Sequence, residues 1–205
     1  ERWAAETAAM IMEKFWDPVK GNFFDGIKEG KYLETRFPGS STYPSLWGIT
    51  TPEQDNRLKE YFADALINIG PPVNRKQLTT PYGGFYALAS LYRHGNAALA
   101  EEFIRRNWGK MVLEANDLTW EDFNRNDHST MSHAWSASPT YYLSSEVLGV
   151  NMGFPVQLSP DTVCIMPQSE TLKWARGTVP HPRGEVWVSW RINDGLLFLD
   201  YKSPA

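Results

Sequence analysis

Pro81-Tyr82-Gly83-Gly84-Phe85-Tyr86-Ala87-Leu88-Ala89-Ser90-Leu91-Tyr92 runs without a charged residue until Arg93-His94. Thr79-Thr80 stands before it, and Ser or Thr caps a helix start while Pro fits the first turn. The stretch therefore reads as a helix from Pro81 to His94. A helix with no polar face is surrounded by protein. Ser41 to Ile49 and Thr130 to Leu148 have the same Gly, Ala, Ser and aromatic character, and open at Ser40-Ser41-Thr42 and Ser129-Thr130. Three amphipathic stretches alternate with them: Trp3 to Phe15, Pro52 to Ile69 and Asn96 to Val112. In the last, Leu99, Phe103, Ile104 and Trp108 recur at helical spacing, opposite Glu101, Glu102, Arg105 and Arg106. Outer and inner helices in strict alternation predict helical hairpins whose inner members line a shared core. If the inner helices run the same way, their first turns gather Tyr43, Tyr82 and His133 at one end, where free N–H groups favour polar ligands. Pro139 falls inside the third inner helix and should kink or break it.

The pattern changes at Leu148-Gly149-Val150-Asn151-Met152-Gly153, where two glycines end the helical regime. Beyond it Val186, Val188 and Trp190 alternate with Trp187, Ser189 and Arg191, as in a strand. Asn193-Asp194-Gly195 is a hairpin turn into Leu196 to Tyr201. Leu172 to Val179 and Val163 to Met166 bring the expected strands to four or five, with turns at Ser159-Pro160-Asp161 and His181-Pro182-Arg183-Gly184. The expected fold is mainly α, residues 1–150, followed by an antiparallel β-sandwich or part of one, residues 151–205.

The 205 residues carry a net charge of -4 with signs interspersed, and Arg105-Arg106 is the longest cationic run. That gives nucleic acid no electrostatic footprint. No apolar run is long enough to span a membrane. Cys164 is the one cysteine, so no internal disulfide or cysteine metal cluster can form; it reads as a residue of a buried strand. No His, Asp or Glu set has metal-ligand spacing and no Gly-rich phosphate loop follows a strand, so no cofactor is expected. Aromatic content is 14%, with 9 Trp. Trp packs cores, and it also stacks on the flat C–H face of a sugar.

Chemistry concentrates in Thr119-Trp120-Glu121-Asp122-Phe123 and Ser132-His133-Ala134-Trp135-Ser136. A carboxylate between aromatic rings can activate water, a ring can stack on a sugar, and a His can donate to a hydroxyl. A Trp-rich turn with solvated acids is the simpler reading of the same spacing. Two long loops, Asp17 to Gly39 and Glu114 to Ser129, flank these elements, and long loops often carry function.

Ser45-Leu46-Trp47-Gly48-Ile49, Thr80-Pro81-Tyr82-Gly83-Gly84-Phe85-Tyr86, Thr119-Trp120-Glu121-Asp122-Phe123 and Ser132-His133-Ala134-Trp135-Ser136-Ala137 occur in this order. Gly153-Phe154 and Gly184-Glu185-Val186-Trp187-Val188-Ser189-Trp190 follow them. The series resembles the C-terminal part of a bacterial α-L-rhamnosidase of glycoside hydrolase family 78. The resemblance implies part of a six-hairpin (α/α)6 toroid followed by an incomplete jelly-roll β-sandwich. It implies inverting hydrolysis of terminal α-L-rhamnosides, with Glu121 as general base, His133 contacting the sugar and Trp120 bordering its pocket. Inversion needs a second carboxyl group, the general acid, about 6.5–9.5 Å from the base. In the family that acid lies upstream, and Glu1 to Phe37 holds no candidate for it. Only about half the hairpins are present, so the chain resembles a piece of a longer enzyme and should be nearly inactive alone.

Among the remaining candidates, Tyr82 and Tyr43 are subsite residues by position, and Asp122 supports Glu121. Trp135 and Trp47 belong to the core by helical placement. His128 is an exposed loop residue, and Asp25 serves either the site or a turn. The expected partners are a carbohydrate substrate, the rest of the parent enzyme and, through uncovered inner-helix surface, further copies of the chain; nucleic acid and membrane are not expected. A non-catalytic carbohydrate-binding or scaffold protein, or another six-hairpin glycosidase, is the alternative.

Overall fold

In the computed structural model, which describes residues 1–67, 80–114, 118–123, 130–151 and 162–204, a helical part precedes an antiparallel β part and no barrel closes. Two units meet in sequence between Ser136 and Ala137.

The first unit opens with α1 (Arg2–Phe15), which buries none of its residues. Two small hairpins follow, β1 (Trp16–Asp17) with β2 (Asn22–Phe23) and β3 (Ile27–Lys28) with β4 (Lys31–Tyr32). The sequence reading expects a long loop from Asp17 to Gly39 here. The segment is ordered by its polar side chains. Asp17 Oδ1 accepts from the Val19 and Lys20 amides at 2.9 and 3.1 Å, and its Oδ2 faces Arg36 at 3.3 Å. Burial works against the Asp17 charge, but those two amides and Arg36 outweigh it and hold the carboxyl below its usual range. Asp25 Oδ1 accepts from the Phe37 amide and the Ser40 hydroxyl, tying the loop to the start of α2 (Pro38–Leu46). Asp25 thus caps the approach to α2 across the loop instead of closing a local turn.

Next come α3 (Pro52–Phe62), α4 (Pro81–Arg93), α5 (Ala97–Asn107) and α6 (Gly109–Leu113). Thr51 caps α3 in a complete capping box with Gln54, a feature that stabilises by about 0.5–2 kcal/mol. A π-helical turn over Ala63–Ile67 continues α3; the expected end at Ile69 lies outside the described residues. Burial follows the expected alternation in α3 and α4, whereas Glu101, expected on the polar face of α5, is buried and faces Arg105 at 3.6 Å. Helix α4 is buried from Ala87 through Tyr92, whereas α3 buries only Leu58 and Phe62.

Helices α2 and α4 end alike. Gly48 and Gly95 take left-handed backbones, φ 71° and 67°. Their amides return to Ser45 O and Tyr92 O, and the next amides, Ile49 and Asn96, return to Pro44 O and Leu91 O. A Cβ at either glycine would strain that conformation. The same two helices are joined side by side by a 3.0 Å hydroxyl contact between Ser45 and Ser90.

The third inner stretch is not one helix. Residues 130–133 are non-helical, Ala134–Ser136 form a 3₁₀ turn, α7 spans Ser138–Tyr142, and a π-helical turn covers Leu143–Val147. Pro139 stands in the first turn of α7, where its missing N–H costs nothing, so it starts a helix instead of kinking one.

The second unit holds α7, the pair β5 (Val150–Asn151) and β6 (Cys164–Ile165), and a three-stranded antiparallel sheet of β7 (Trp174–His181), β8 (Gly184–Asn193) and β9 (Leu196–Lys202) in that order. The turns at Pro182–Arg183 and Asp194–Gly195 fall where the sequence places them. Val186, Val188 and Trp190 point to the buried face, and the Trp190 indole donates to Val147 O at 2.8 Å. Cys164 is half-buried, less enclosed than its apolar neighbours suggest. The expected turn at Ser159-Pro160-Asp161 and the Gly153-Phe154 start lie outside the described residues.

Candidate functional site

The Trp120–Phe123 turn is built by two buried rings. Trp120 is 1% exposed and Phe123 is buried against Trp108, ring centroids 4.7 Å apart and nearly perpendicular. Phe103 completes that aromatic set, 5.4 Å from Trp108 and 5.9 Å from Phe123. With both ends of the turn anchored inward, Glu121 and Asp122 between them stay half-exposed. This corrects the expectation for Trp120. Its ring lies inside the unit and presents no open face for a sugar.

Backbone bonds lay this turn beside the segment that carries His133. The His133 amide donates to Thr119 O at 2.8 Å, and the Thr119 hydroxyl donates to His133 O at 2.8 Å. The Glu121 amide donates to Thr130 O at 2.9 Å, and the Thr130 amide donates to Glu121 Oε2 at 3.1 Å. The amide and hydroxyl of Thr130, followed by the electrostatic influence of His133, hold the Glu121 carboxyl below its usual range. An ionised carboxylate can accept a proton from water.

Trp135 is 68% exposed, against the expectation that it packs in the core. The reason is visible one residue on. Ser136 is buried, and its carbonyl accepts from the Trp108 indole at 2.7 Å. The 3₁₀ turn is pinned there, so its preceding side chain projects outward. Trp47, also expected in the core, is 55% exposed where α2 ends.

Tyr82 does stand at the start of α4, 41% exposed, and Tyr43 on α2 is 42% exposed. The rings run in sequence: His133 to Trp135 at 6.5 Å, Trp135 to Tyr82 at 5.2 Å, Tyr82 to Tyr86 at 5.7 Å and Tyr86 to Tyr43 at 5.1 Å. The hydroxyls of Tyr82 and Tyr86 lie 3.4 Å apart. That contact, then burial, pushes the Tyr86 phenol up to about 12, while burial followed by Tyr82 raises Tyr43. Tyr86, Trp135 and Thr130 are the site neighbours that residue-by-residue reading misses. Tyr86 could have been found, since it lies one helical turn after Tyr82.

His128 and Asp127 lie outside the described residues. Among the described residues no group of three His, Cys, Asp or Glu side chains is placed to hold a metal ion, and no helix is long and apolar enough to cross a membrane.

No protein-family model and no curated protein matches the chain. Solved structures do match. The GH78 family rhamnosidase of Bacillus sp. GL1 superposes with a TM-score of 0.75 at 30% sequence identity, over 95% of this chain and 21% of that one. The chain spans about a fifth of that rhamnosidase's length and shares the fold of that part of a glycoside hydrolase.

Proposed function

We propose that this chain is the C-terminal part of an inverting glycosidase that removes terminal α-L-rhamnose, with Glu121 as the general base. The observation that carries the reading is the Glu121 carboxylate, half-exposed, held by the Thr130 amide and sharing its segment pairing with His133. The likeness to a GH78 rhamnosidase supplies the reaction class. In the mechanism, Glu121 takes a proton from water as the water attacks the anomeric carbon. The C–O bond to the leaving group breaks on the opposite face, and a general acid from the rest of the parent enzyme protonates the departing oxygen. His133 donates to a sugar hydroxyl and Tyr82 borders the pocket. Residues 1–150 form part of the catalytic toroid, and 151–205 belong to the C-terminal sandwich.

The test compares the isolated chain with the parent enzyme on an aryl α-L-rhamnoside. The isolated chain should be nearly inert, because general acid assistance typically contributes about 10²–10⁴-fold. In the parent enzyme, Glu121→Gln should abolish turnover and leave sugar binding in place, and proton NMR of the first product should show the inverted anomer. A retained anomer, or near-normal turnover with Glu121→Gln, rejects the assignment.

A further inference from the structure

We propose that Glu146 is a pH-sensitive latch on the joint where the chain passes from its last helical turn into β5. With the acid neutral the joint is closed, and with the acid ionised the joint opens. The device lies wholly within the second unit and is independent of the glycosidase reading.

The joint is a set of helix-end carbonyls gripped from the β part. The π-helical turn Leu143–Val147 ends there, and its last carbonyls have no later helical amide to meet. Glu146 O accepts from the Gln168 amide at 2.7 Å, Val147 O from the Trp190 indole at 2.8 Å and Gly149 O from the Met166 amide at 2.7 Å. Backbone touches backbone, since a Cβ added at Gly149 would strike the Pro167 nitrogen. Glu146 is enclosed in this joint, 7% exposed. Its Oε2 accepts from the Gln168 side-chain amide at 2.8 Å, and its Oε1 lies 3.2 Å from the Ser145 hydroxyl. Those partners suit a neutral acid: the carboxyl O–H can donate to Ser145 Oγ while the carbonyl oxygen takes the Gln168 bond. An ionised group would have two neutral donors and no cation. The elements packed on the turn are α7, β5 and β7. Their titratable groups are Tyr141 and Tyr142 on α7 and Arg176 and His181 on β7, and β5 has none. Arg176, with Lys173, lines the groove beside Leu143 and Ser144. Among the described residues none of these groups acts on the Glu146 carboxyl, and burial raises it above its usual range despite its hydrogen bonds. The closed joint is therefore favoured at acid pH and weakens as pH rises through the native titration. Because Gln168 holds both the carboxyl and the carbonyl of Glu146, freeing the side chain to reach water also frees the backbone grip.

The experiment follows hydrogen exchange in the 205-residue chain by NMR at about pH 5 and about pH 8, with rates corrected for the intrinsic effect of pH. The Met166 and Gln168 amides and the Trp190 indole should open at least about tenfold more often at the higher pH, a modest share of what a buried charge without a counter-ion costs. The amides of the central strand β8 should stay slower than these three probes. Glu146→Gln keeps the hydrogen bonds of the neutral acid and cannot ionise, so it should hold the joint equally closed at both pH values. A pH dependence of the same size in Glu146→Gln overturns the proposal. So does exchange of the three probes in step with β8 at the higher pH, because the joint then opens only with the whole sheet. If Glu146→Gln does not fold, the wild-type chain decides. The ¹³C shift of the Glu146 carboxyl must then change over the same pH range in which the three probes lose protection, and a carboxyl that titrates outside that range overturns the latch.

Discussion

Two aromatic clusters in the helical unit have nearly the same internal geometry and opposite fates. Phe103, Trp108 and Phe123 meet at centroid distances of 4.7–5.9 Å and are all buried. Tyr43, Tyr86, Tyr82 and Trp135 meet at 5.1–5.7 Å, and three of the four are exposed. Ring contact is therefore no guide to role. What separates the clusters is what lies on the other side of each ring: protein for the first, solvent for the second. The first holds the Trp120–Phe123 turn and, through the Trp108 indole, the 3₁₀ turn at Ser136. The second offers its faces outward.

The comparison predicts a ranked set of effects. The largest belongs to Trp108→Ala, which empties the buried cluster and leaves the Ser136 carbonyl without its indole donor. A loss of about 3–5 kcal/mol is expected for a buried Trp, read by urea unfolding. If Trp135→Ala costs as much, the distinction between the clusters fails. Next is Gly84→Ala. A Cβ there would come within 2.6 Å of the Trp108 ring, so the indole must shift or α4 must move. Overpacking of this kind costs about 1–3 kcal/mol, and a neutral result would mean that the ring has room to yield. Trp135→Ala itself should change stability by no more than about 0.5 kcal/mol, as for a surface substitution.

Two carboxylates sharpen the contrast between enclosed and open groups through pH. Glu146 is buried in the second unit. Burial raises its carboxyl above the usual range against the hydrogen bonds from Ser145 and Gln168. The native state then holds the proton longer than the unfolded chain, so stability is fully present at acid pH and declines as pH rises through the native titration. Glu146→Gln should remove that decline and be neutral or stabilising near pH 7, measured as Tm against pH. Glu121 has the opposite sign. Its lowered carboxyl adds stability at neutral pH that is lost as pH falls through the native titration. Glu121→Gln should flatten the acid limb only slightly, since the group lies at the surface.

The legible parts of the sequence were those decided locally. The uncharged run of α4, the glycine at 149 that ends the helical regime and the Asp194–Gly195 turn depend on residues within a few positions of each other, and each appears as expected. The Thr130–Leu148 stretch was misread as one helix because its composition suits a buried helix. Nothing in that composition reports the pairing of residues 119–121 with 130–133, which takes the backbone groups of the first residues out of a helical ladder. The outward position of Trp135 has a related reason, since Trp108 grips the adjacent Ser136 from another element. The half-exposure of Glu121 and Asp122 follows from the inward anchoring of Trp120 and Phe123 at the two ends of a short turn, which the sequence analysis does not anticipate.

The grip of Trp108 on Ser136 falls on a carbonyl oxygen, a group that every residue possesses. Sequence drift in the segment that carries Trp135 therefore leaves the hydrogen bond available, provided the new side chain at Ser136 stays small enough for its enclosed position. The rings displayed at the surface can be exchanged one by one while the platform that aims them is inherited intact. Such an arrangement lets the exposed rings change by single substitutions, and it gives an engineer a face to re-line without first rebuilding the scaffold.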